Sequence, residues 1–85
     1  MIAPSLTQMF AIPARISCRT EDLRAIRERL IGYERDTKDD AVAEILGRAV
    51  EEVHVAIRTL EKAHNIAMLN ASNAWIEATE KKETV

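Results

Sequence analysis

Apolar side chains recur every three or four residues from Val42 onward. Val42, Ile45, Leu46, Ala49, Val50, Val53, Ile57 and Leu60 make one broad face, and Ala63, Ala67, Ala71, Ala74 and Ala78 continue it. This is the period of an α-helix rather than the strict alternation of a strand. Thr37 followed by Asp40 is a variant of the capping box, with Asp in place of the usual Glu or Gln, and it predicts a helix start near Lys38. No proline or glycine follows Gly47. The pattern therefore predicts one helix of about 42 residues, roughly 63 Å long at 1.5 Å per residue. Asn70-Ala71-Ser72-Asn73 is the best candidate for a break, because Asn and Ser side chains compete for backbone groups. Ala71 and Ala74 stay in phase with the stripe and favour continuity.

A shorter helix is predicted before it, from Glu21 to about Gly32. Leu23, Ile26 and Leu30 form its apolar stripe, Thr20 is its expected N-cap, and Glu21 and Asp22 lie where the helix dipole favours negative charge. Gly32 is its expected end, and Glu34 to Lys38 read as a polar link. Residues 1–19 show no helical period and contain Pro4 and Pro13, so they are expected to form an arm. The arm is too apolar for a solvated tail. It should pack on the helices or reach a neighbouring subunit or partner. The domain reading is an arm over residues 1–19 and a helical hairpin over residues 20–85.

The long stripe changes character near Leu60, from large aliphatic side chains to alanine. Large residues suit a core shared with the first helix. Alanines allow another backbone to approach at the short end of helix-packing distances. The second half, with Ala67, Leu69, Ala71, Ala74, Trp75 and Ala78, is accordingly the expected self-association or partner surface. Trp75 is singled out because tryptophan is enriched in interface hot spots. A helix this long overhangs a compact domain of 85 residues, whose radius of gyration is about 12 Å. The expected fold is therefore all-α: a helical hairpin, one short helix and one very long one, assembling into a homo-oligomeric bundle.

Composition adds constraints. Hydrophobic residues are 47% and charged residues 31% of the chain, which excludes a disordered class. The three aromatic residues, Phe10, Tyr33 and Trp75, leave an aliphatic core. Net charge is −2, with an arginine-rich first part and an acidic remainder, and this argues against broad binding to nucleic acid. Cys18 is the only cysteine, so no internal disulfide is possible. Neither a signal peptide nor a membrane span is evident, and the expected location is the cytoplasm.

Little in the chain points to chemistry. Glu51 with His54 and Glu61 with His64 are Glu-x-x-His pairs, the i, i+3 spacing of bundle metal sites. The first helix offers no inward carboxylates to complete such a site, so neither metal nor cofactor is expected. No glycine-rich loop or nucleophile motif is present, and no enzyme activity is expected. Arg15, Arg19, Arg24 and Arg27 form a basic run that could hold an anion or nucleotide. The function expected is a non-catalytic interaction protein that self-associates and binds another protein. One alternative is a phage or mobile-element inhibitor that blocks a host protein, since the chain resembles such small helical proteins in size and style. The other is an anion or nucleotide binder using the arginine run.

Overall fold

A computed structural model describes residues 5–83, and three helices occupy nearly all of them: α1 (Leu6–Met9), α2 (Ala11–Asp36) and α3 (Asp40–Glu83). No strand occurs among the described residues. The two long helices run antiparallel as a hairpin 69 Å long and 16 × 15 Å in section. The radius of gyration is 19.7 Å, against about 12 Å for a compact chain of this length.

The long helix forms as the stripe predicts. It has 44 residues and passes through Asn70–Asn73 without interruption. Its start differs from expectation. Asp39, not Thr37, caps it: Asp39 Oδ1 accepts hydrogen bonds from the backbone N–H groups of Ala41 (3.0 Å) and Val42 (3.2 Å). Thr37 Oγ1 accepts instead from the N–H of Asp39 at 3.3 Å and shapes the turn. Both residue types cap well, so sequence preference alone does not choose between them.

The first helix departs further from expectation. It begins at Ala11 rather than Glu21, has 26 residues, and continues past Gly32 to Asp36. The expected boundary between an arm and a helix at Thr20 is absent. Pro13 is the third residue of α2, inside the first turn, where its missing N–H leaves no hydrogen bond unmade. Thr20 does not cap. It is buried in mid-helix, and its hydroxyl donates to Ile16 O at 2.9 Å. Ahead of α2, Ser5 and Gln8 make a reciprocal capping box that closes α1, with bonds of 3.2 and 3.0 Å. The apolar arm is thus largely helical, and its residues 1–4 lie outside the described residues.

The two helices share one seam. On α3 the least exposed line is Leu46, Val50, Val53, Ile57, Leu60, His64, Ala67 and Ala71. On α2 it is Pro13, Ile16, Thr20, Leu23, Arg27, Leu30 and Glu34. Both lines alternate steps of three and four, the spacing that keeps two helices in contact along a coiled coil. The seam has large aliphatic residues near the turn and small or polar ones at the far end, where α1 and the start of α2 cover α3. Even so, only Pro13, Ile57 (2% exposed) and Ala71 (8%) are buried apolar residues among those described.

Candidate functional site

The seam divides the hairpin surface into two lateral faces. One is polar. Arg24 reaches across the helices to Glu61 (2.9 Å) and also pairs with Glu21 on its own helix. The hydrogen bonds to Glu61 and then to Glu21 hold the Arg24 guanidinium above its ordinary pKa. One turn closer to the link, Arg27 Nη1 stands 3.4 Å from His54 Nδ1. The Glu34 carboxylate lies over Gly47, 3.5 Å from where a Cβ would stand, which is ordinary contact. Ser17, Thr20, His64 and Asn65 extend this face as a shallow open cleft around the Arg24–Glu61 pair.

The other face is apolar. Ile12, Ile26 and Tyr33 on α2 occupy the row beside the seam, seven residues apart, with Arg19 between the first two. Val42, Ala49, Ala56 and Ala63 occupy the matching row on α3, and Ile45 and Ile66 stand just outside it. In this row the alanines form a floor and the larger side chains form walls. Ile12, Ile26, Tyr33, Val42, Ile45 and Ile66 are all exposed. A third group, Val55, Leu69 and Ile76, follows the back of α3 and is also exposed.

The expected interface residues are divided between these environments. Ala67, Ala71 and Ala74 line an apolar groove with Met9, Ile12 and Pro13 of the same chain, and Ala71 is buried there. Ala71 is thus covered by its own chain, Ala67 is half-buried, and Ala74 stays exposed. Ala78 is half-buried, while Leu69, on the back of α3, and Trp75, past Ala74, are exposed. Sequence reasoning missed the α2 row of Ile12, Ile26 and Tyr33 because its helix was drawn too short. A seven-residue repeat sought across Pro13 and Gly32 would have found it.

The arginine run does not converge on one point. Arg19 pairs with Asp22 (2.7 Å), Arg24 with Glu21 and Glu61, and Arg27 lies 3.9 Å from Glu28, while Arg15 has no ion pair among the described residues. Of the Glu-x-x-His residues, Glu61 is engaged by Arg24, His64 lies in the seam, and Glu51 and His54 are exposed. Among the described residues no group of three or more His, Cys, Asp or Glu is placed to hold a metal ion. Cys18 is exposed. No helix among the described residues is long and apolar enough to cross a membrane. No protein-family model, curated protein or solved structure matches the chain.

Proposed function

We propose that the chain is a non-catalytic helical interaction protein that self-associates and offers its remaining apolar surface to another protein. One observation carries this reading: among the described residues only Pro13, Ile57 and Ala71 are buried apolar side chains, while Ile12, Ile26, Tyr33, Ile45, Ile66, Leu69, Trp75 and others of similar size are exposed. Scattered exposed apolar residues are ordinary, but contiguous rows of them mark interfaces. A lone hairpin also leaves the entropy of ordering its residues poorly offset by burial, and small folds of this kind usually gain their stability by association. Self-association takes one lateral face. Leu69, Trp75 and Ile76 at the far end of α3 then remain for a second protein, with Trp75 as the anchor. Light scattering on the purified full chain tests this reading, and a dimer or larger species is expected. A chain that stays monomeric and fully helical at high concentration overturns it.

A further inference from the structure

The apolar lateral face carries its own instruction for what covers it. Along its outer edge on α2 stand Arg15, Asp22, Arg29 and Asp36, seven residues apart and alternating in sign. Reversed about its midpoint, this row places every charge on its opposite: Arg15 on Asp36, and Asp22 on Arg29. A parallel copy in register would set arginine on arginine. Among the described residues Arg15 and Arg29 have no ion pair within the chain, while Asp22 and Asp36 make exposed pairs with Arg19 and Arg35 on their own helix. The midpoint falls between Ala25 and Ile26. Arg24 beside Glu61 and Arg27 beside His54 put that level at Ile57 on α3. Reversal of α3 about the same level sets Ile66 over Ala49, Thr59 over Ala56 and Glu52 over Ala63, so each alanine of this floor meets a longer side chain rather than another alanine.

Building on the self-association reading, we propose that two copies pack face to face as an antiparallel four-helix bundle. In it α2 lies on α2 and α3 on α3, with the twofold axis at the level of Ile26 and Ile57. Such an interface is isologous, so each contact is made twice. The surface area agrees with it. The chain exposes 6894 Å², whereas a compact monomer of 9.6 kDa exposes about 5,100 Å². The excess of roughly 1,800 Å² is in the range that one partner of an obligate dimer hides.

Cysteine cross-linking reads the register directly. The full chain carrying Cys18→Ser and Ile26→Cys is oxidised with diamide and run on a non-reducing gel. The introduced thiols face each other across the axis, and a disulfide-linked dimer is expected. In the native chain the two Cys18 residues stand 15 residues apart along the helices, about 22 Å at 1.5 Å per residue, so no cross-link is expected. Rapid cross-linking of the native chain overturns the antiparallel register. So does a variant that stays uncross-linked while light scattering still finds a dimer, an outcome that leaves self-association standing. A monomer by light scattering removes both. Charge reversal is the second test. Arg15→Asp, acting twice by symmetry, should weaken the dimer on the order of tenfold at low salt. Adding Asp36→Arg should restore it, and failure to restore also overturns the register.

Discussion

The two lateral faces of the hairpin border the same seam and are built from the same two helices, yet they solve opposite problems. On the polar face an ion pair links the two helices: Glu61 and Glu21 meet Arg24, and the His54 ring lies beside Arg27. Ile31, seven residues after Arg24, is its one exposed large apolar side chain among the described residues of that row. On the apolar face, Ile12, Ile26, Tyr33, Val42, Ile45 and Ile66 meet no cover from their own chain. The difference lies in one row of α3, where Val42, Ala49, Ala56 and Ala63 stand opposite Gly47, His54, Glu61 and Met68 across the seam. A two-helix protein has only one seam in which to hide apolar surface, so any second apolar row requires another molecule.

Four substitutions, from the largest expected effect to the smallest, break or sharpen this contrast. Ile57→Ala strikes the seam that both faces depend on. Ile57 is the most buried apolar residue, and loss of its methyl and methylene groups should cost about 2–4 kcal/mol, measured by urea unfolding followed by circular dichroism. A cost near zero would mean that the seam does not hold the hairpin together.

Ala56→Glu comes next and separates the faces. On a covered face it buries a charge without a partner, costs several kcal/mol and dissociates the assembly. On an exposed helix the same change costs about 0.5 kcal/mol or less. Arg58→Glu, two residues along and on the polar flank, is the matched control. Sedimentation of the two variants should give a small species for the first and the native species for the second.

Gly47→Ala probes the polar face near the turn. Its φ is helical, and an added Cβ meets Glu34 Oε1 at 3.5 Å, an ordinary contact. Alanine should raise stability by about 0.5–1 kcal/mol through helix propensity. A fall in melting temperature would show that Glu34 needs the empty space over Gly47.

Arg24→Ala should do least. Its partners Glu21 and Glu61 are well exposed, and ion pairs in water gain little against solvation and side-chain entropy. No resolved change in melting temperature is expected at moderate salt. A large drop would mean that the polar face is covered in solution as well.

The long helix was legible in the chain because its stripe persists for about ten turns and no strong breaker follows Gly47. The capping residue was harder to place, because Thr37 and Asp39 compete over a two-residue interval. The first helix was misjudged at both ends for physical reasons. Pro13 looks like a breaker, yet in a first turn it is compatible with helix. Gly32 looks like a terminator, yet with Tyr33 and Arg35 following it stays helical to Asp36. Of the candidate interface, Leu69 and Trp75, read as a surface for association, are exposed in the single chain. Ala67 and Ala71 were read as open to another molecule, and they lie under Pro13.

By itself, the sequence determined the helical class, the length of α3 and the change from large to small side chains along its stripe. Those properties follow from local periodicity and propensity, which act between residues a turn apart. Only the tertiary structure decided which face of each helix meets the other, because that depends on register between positions tens of residues apart. Once α2 extends back to Ala11, its first turns come to line one groove with Ala67, Ala71 and Ala74 of α3. The surplus apolar surface then moves to the row running from Ile12 to Tyr33 and from Val42 to Ile66. Small side chains permit close approach by any backbone, and the chain's own α2 is the nearest one.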